Sequence, residues 1–264
     1  MKMYVMLFLA FCIQNSILPI NMVSYGEEVN SEYLTYNFSE EDKEKIVVED
    51  IKNLKIIEDE MQINNTSVNE QLDNFLKEDL KYFTPEEAKL VEQTINENRP
   101  RATRNIKTLA FLPDYEFDPE TSDMTIANAA IAYFKLKNYK LSAHLLSRAI
   151  SVRSSAEYQP SNSMKSFLYN TVAYKALSNK KSYPNGSVKW GEFQNKFNRD
   201  EADAHYAIYH FRAEMTNDRV KITDIYDYKE GSSSGVTGVA VDAIARLQRS
   251  GRFVAFPLRI HLVR

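Results

Sequence analysis

The sequence predicts an α+β protein, with a mostly helical N-terminal two-thirds followed by a small C-terminal α+β domain of hairpin, helix and last strand. Between Ser39 and Leu177 the apolar residues recur every three or four positions, and helix-starting residues stand ahead of the runs. From Ala207 the period switches to two, the mark of half-buried strands, and turns helical again only over Val236–Arg249. With 264 residues, 44% of them apolar, and only 7 Gly and 8 Pro, the chain has the material for a sizeable core and is neither collagen-like nor fully disordered.

Residues 1–26 read as a signal peptide. Lys2 supplies the positive start, Met3–Ile13 is an apolar stretch of suitable length, and Ser24-Tyr25-Gly26 fits the small-x-small cleavage rule. This implies a secreted or extracytoplasmic bacterial protein with no transmembrane helix in the mature chain. Cys12, the one cysteine, falls inside that leader, so the mature protein has no disulfide and is held by packing alone.

Residues 27–105 read as an acidic helical region. Ser39, Ser67 and Thr84 are placed to cap three helices. Thr84-Pro85-Glu86-Glu87 joins a hydroxyl cap, a proline at the first helical position and a glutamate that reaches back to the cap amide. Glu27–Tyr82 carries sixteen acids against six bases and few apolar positions, so the region is expected to be a mobile spacer or pro-region rather than core.

Residues 106–180 follow as a helical hairpin and bundle. Met124–Leu136 and Lys140–Ser151 are joined across Lys137-Asn138-Tyr139, and a third helix is expected over Met164–Leu177. The hairpin is similar to part of a tetratricopeptide repeat, yet no period runs along the chain, so a small bundle is expected rather than a solenoid.

Residues 181–264 form the C-terminal α+β domain. Ala207, Tyr209, Phe211 and Ala213 share one face of a strand, and Thr216-Asn217-Asp218-Arg219 makes the turn. Val220, Ile222, Asp224, Tyr226 and Tyr228 share a face of the returning strand. The helix Val236–Arg249 closes at Ser250-Gly251, and a last strand over Phe253–Val263 alternates Leu258, Ile260 and Leu262.

Charge is uneven. Val239–Arg264 holds Arg246, Arg249, Arg252, Arg259 and Arg264 against one acid, Asp242. Either the acidic front and basic end attract each other within the molecule, or the end faces an anionic partner such as an envelope polymer or lipid head group. Nucleic acid is not the expected partner, because the basic residues are few and Trp190 is the lone tryptophan, with no stacking array.

There is no H-E-x-x-H, cysteine zinc pattern, P-loop or dinucleotide fingerprint. His144, His205, His210 and His261 show no metal spacing, and His205 and His210 are expected on opposite faces of a strand. Gly231-Ser232-Ser233-Ser234-Gly235 matches a hydrolase elbow, but a serine elbow needs a large parallel sheet, and little chain follows. The milder reading is an anion cradle, with Ser232, Ser233 and Ser234 ahead of a helix that supplies Arg246. Asp224 and Asp227, with Tyr226 between them, are the candidate catalytic residues. A bend at the strand end would bring the two carboxylates together to hold Mg²⁺ or to act as base and anchor; the other reading is a structural turn with packed tyrosines.

Over roughly Asp203–Leu262, the order hairpin, Ile222-Thr223-Asp224-Ile225-Tyr226-Asp227-Tyr228, helix, Gly251 and Pro257-Leu258-Arg259-Ile260-His261-Leu262 resembles the C-terminal activity domain of colicin M-type bacteriocins. The resemblance implies a lipid II pyrophosphate hydrolase acting in the periplasm with Mg²⁺. Asp224, Tyr226 and Asp227 match the family's Asp-x-Tyr-Asp motif, and Tyr228 takes the aromatic position. The chain departs from the family downstream, where a His-Arg pair is replaced by Gly231-Ser232-Ser233-Ser234; His261 is the candidate replacement.

Two functional classes follow. In the first, an exported protein acts at the cell surface or on other cells by binding a protein, an envelope polymer or a lipid head group. In the second, the C-terminal module is a divergent lipid II hydrolase, and only there does a cofactor, Mg²⁺, enter.

Overall fold

Each of the three expected caps forms. In the computed structural model, which describes residues 39–100, 119–195, 197–229 and 235–264, α1 (Glu40–Ile63) starts where the Ser39 side chain accepts from the Asp42 amide. α2 (Val68–Asp79) starts likewise at Ser67, and α3 (Pro85–Glu97) opens with the reciprocal Thr84–Glu87 capping box. The leader at residues 1–26 lies outside the described residues.

These acidic helices are not a spacer. Leu54, Ile57 and Met61 of α1, Leu72 and Phe75 of α2, and Val91 and Ile95 of α3 are buried in the same hydrophobic core that holds Leu258 and Leu262. A helix needs only one apolar stripe to dock, and the acids occupy the other faces. α1 and α2 dock on α4 (Pro119–Leu136), whose Ile126, Ala127, Ala130, Ile131 and Phe134 are buried, and α3 docks on the helix that follows it, Lys140–Ser151. Accordingly, the boundaries expected near residues 105 and 180 do not separate cores among the described residues.

α4 turns into α5 (Lys140–Ser151) through Asn138, whose φ of 58° lies in the left-handed region that asparagine tolerates. Tyr139 offers α5 no side-chain cap. Asp203 supplies one from a distant helix, accepting from the Leu141 amide at 3.1 Å, the Ser142 amide at 2.9 Å and Ser142 Oγ at 2.7 Å. The helix expected over Met164–Leu177 is broken into α6 (Asn162–Lys165), a 3₁₀ stretch (Ser166–Asn170) and α7 (Val172–Leu177). Thr171 makes the break: its backbone is extended, and its hydroxyl both donates to the Leu168 carbonyl and accepts from the Tyr174 amide.

The C-terminal part is a four-stranded antiparallel sheet in the order β1 (Val188–Glu192), β2 (His210–Met215), β3 (Arg219–Tyr226), β4 (Phe256–Val263). α8 (Arg199–Ala207) joins β1 to β2, and α9 (Gly235–Arg249) joins β3 to β4. The fold is therefore α+β. Ala207 was expected on a strand but ends α8, which Asn198 caps by accepting from the Glu201 amide at 2.8 Å. His205 consequently sits on a helix, not opposite His210 on a strand. β3 stops at Tyr226 rather than Tyr228, and β4 begins at Phe256, after Gly251 closes α9 at a φ of 75°.

The pleat divides the sheet cleanly. Phe211, Ala213, Met215, Val220, Ile222, Tyr226, Leu258, Ile260 and Leu262 face the helices and are buried. Trp190, Arg212, Thr223 and Arg259 form one cross-strand row of the outer face. The segment around Tyr158 closes the far edge of β4, donating from its amide to the Pro257 carbonyl and accepting from the Arg259 amide. On the other side, β1 pairs with no further strand among the described residues. No described helix is long and apolar enough to cross a membrane.

Candidate functional site

β3 carries Val220, Ile222, Asp224 and Tyr226 on its inward face, so the pleat that builds the core also drives a carboxyl group toward it. Asp224 stands opposite Leu258, and Tyr226 opposite Phe256. Burial raises the Asp224 carboxyl to about 8; the Ile225 amide opposes this, and the neighbouring Asp227 charge adds to it. Burial also raises Asp227, and the Lys229 ammonium pulls it back. The two carboxylates thus feel each other. Among the described residues, however, no Lys, Arg or His hydrogen-bonds or ion-pairs with Asp224, and His261 lies on the outer face of β4.

The tyrosines of the motif pack. Tyr226 Oη lies 3.1 Å from Tyr228 Oη, and the Tyr226 ring stacks on Phe253 at 5.7 Å and 26°. The Tyr228 amide donates to Gln248 Oε1 at 2.9 Å, and burial pushes its phenol up to about 12. The pair ties the end of β3 to the end of α9.

Arg246 does not face this corner as a free cation. Its Nη2 is 2.6 Å from Asp123 Oδ1 and 2.8 Å from Asp50 Oδ1, and its Nε is 3.0 Å from Asp123 Oδ1. Both acids are buried, and Ser122 Oγ donates to Asp50 Oδ2 at 2.8 Å. The arginine expected to hold an anion is the centre of an ion cluster joining α1, α4 and α9. Ser232, Ser233 and Ser234 lie outside the described residues. The other C-terminal arginines are engaged too: Arg252 pairs with Glu120, Arg259 with Glu157, and Arg264 donates to the Thr216 and Ser178 carbonyls. The basic end is therefore largely committed within the molecule.

A second cluster, not anticipated from the sequence, lies where β1 meets β2. Trp190 is 65% exposed and stands opposite Arg212, while Glu192 stands opposite His210, whose Nε2 is 3.3 Å from Glu192 Oε2. Tyr209, also exposed, precedes β2 at a φ of 50°. Its ring centroid is 3.8 Å from that of His210 and 4.8 Å from that of His205. The ladder continues through Tyr206, at 5.2 Å from His205, to Tyr139, stacked on Tyr206 at 5.5 Å. His205 Nδ1 is 2.8 Å from the Phe193 carbonyl, so that nitrogen carries the proton. Gly191 was the available signal for this corner. A Cβ there would stand 2.7 Å from the Phe211 ring, so the strand needs glycine for that ring to pass under β1.

Among the described residues, no group of three or more His, Cys, Asp and Glu gathers to hold a metal ion. Asp224 and Asp227 stand as two carboxylates without a third ligand of that kind beside them among the described residues. Comparison with protein-family models, curated proteins and solved structures finds no match for this chain.

Proposed function

We propose that this is an exported bacterial protein that acts at the cell surface, or on other cells, by binding an envelope component or a protein. The leader pattern of residues 1–26 supports export. The observation that carries the binding reading is the outer face of the C-terminal sheet, where Trp190 and Tyr209 stand exposed beside ion-paired side chains. Exposed aromatic groups with polar neighbours are the usual anchors of contact surfaces. The hydrolase reading has less support: Asp224 has a proton-holding environment but no described basic partner to stabilise a leaving pyrophosphate.

One experiment separates the two. The purified chain is sedimented with isolated bacterial envelopes and, in parallel, assayed for Mg²⁺-dependent release of a pyrophosphorylated product from lipid II. Binding without release supports the proposal. Release that disappears in Asp224→Ala would replace it with colicin M-like hydrolysis.

A further inference from the structure

We infer that the Trp190–His210–Tyr209 face is a saccharide-binding platform for an uncharged glycan chain. This deepens the binding reading above and rests on it.

Three features of the corner point to this chemistry. The first is strain. A bulky aromatic residue at a φ of 50° is uncommon and unfavourable, and residues held so concentrate at functional sites. Tyr209 is held there because its carbonyl accepts from the Phe193 amide at 2.8 Å while its ring lies against His210 and His205. The core does not require this ring, since Tyr209 remains exposed while Ile208 before it and Phe211 two places after it are buried.

The second feature is the grouping of exposed rings. Trp190 and His210 are diagonal neighbours on adjacent strands, since Trp190 pairs with Arg212 and His210 with Glu192. Tyr209 stands just before the start of β2, its ring tilted by 50° against that of His210. Exposed aromatic side chains, here Trp190 and Tyr209, offer apolar surface to the C–H faces of sugar units. The surrounding polar groups, Glu192, Gln194 and Arg212, match the hydroxyls at the sugar edges.

The third feature is charge. Glu192 is held by His210, and Glu214 accepts both Arg212 at 3.0 Å and Lys221 at 3.0 Å. The face therefore sets acids beside bases, with Arg212 and Lys221 both taken up by Glu214, and offers no field of unpaired cations. That suits an uncharged polymer and does not suit a polyphosphate chain, whose binding depends on unpaired cations.

The chain contains one tryptophan, so its fluorescence reports on this face alone. Purified protein is titrated with cellohexaose, maltohexaose and chitohexaose, with a single-stranded DNA oligonucleotide as the anionic control. The expected result is a saturable shift of Trp190 emission with at least one hexasaccharide and none with the oligonucleotide. Tyr209→Gly removes the ring but keeps a residue that tolerates the backbone angle. It should weaken saccharide binding at least tenfold while leaving the thermal midpoint equal or higher, an outcome a purely structural role would not give. Absence of a saturable shift at millimolar saccharide, or wild-type affinity in Tyr209→Gly, overturns the inference. So does a response to the oligonucleotide alone. If envelopes still sediment the protein when all three saccharides fail, only the saccharide assignment falls; if neither binds, the broader reading falls with it.

Discussion

Arg246 in α9 donates to Asp50 in α1 across 2.8 Å, although 196 positions of chain separate them. The acidic front of the sequence and its basic end meet inside the molecule. Asp123 from α4 completes the cluster, so one guanidinium serves two buried carboxylates. Burial holds the Asp50 carboxyl above its ordinary value even beside the arginine.

Arg246→Met should therefore be severely destabilising. It strands two buried acids, and breaking a buried pair typically costs about 3–5 kcal/mol. The loss should shrink as pH falls from 7 toward 4, because protonation discharges the stranded acids. Urea unfolding at the two pH values checks this, and adding Asp50→Asn to the variant should recover part of the stability.

Asp224 sets a pH dependence of its own. Its folded value of about 8 lies far above the ordinary 3.8, so the native state holds a proton that the unfolded chain releases. The stability this group contributes is complete below about pH 4 and is lost as pH rises toward 8. Asp224→Asn should flatten that slope. At pH 8 it should unfold at higher urea than wild type, by about 1–3 kcal/mol, discounted from about 1.4 kcal/mol per unit because the residue keeps partial exposure.

Glu87 has two tasks, and Thr84 one. Both close the capping box, but Glu87 also lies 3.3 Å from Arg148, which is buried against the Tyr158 and Phe256 rings. Thr84→Ala should cost about 1 kcal/mol. Glu87→Gln should cost about 2–4 kcal/mol, because it leaves a buried guanidinium without its counter-charge. Chemical denaturation of the two single variants gives the comparison.

Gly191→Ala should destabilise by about 1–3 kcal/mol, the usual range for overpacking. The added methyl would meet the Phe211 ring at 2.7 Å. Combining it with Phe211→Leu should give less than the sum of the single losses, measurable as a double-mutant cycle in thermal or urea unfolding.

Local chemistry made much of this fold readable. Ser39, Ser67 and Thr84 cap the helices their spacing announces, and the alternation Val220, Ile222, Asp224, Tyr226 places Asp224 inward as expected. α8 is masked in the sequence because Ala207 continues the alternating pattern of β2 by coincidence, although Asn198 and the acids after it mark a helix start. The partners of Arg246 were unreadable for a different reason. Long-range ion pairs leave no local period, and an arginine ahead of a helix end looks the same whether it meets a phosphate or two aspartates. The Trp190 corner arises from register between strands and from a backbone angle, neither of which is written in spacing.

The cap that Asp203 places on α5, and the clasp between Asp50 and Arg246, share a temporal consequence. A ribosome has emitted most of the chain before either partner of the earlier helices exists. The nascent chain therefore lacks these two ties until Asp203 and Arg246 have been made. Both ties close only once the last quarter of the chain has been made, and a chain cut short before Asp203 would lack the two of them together.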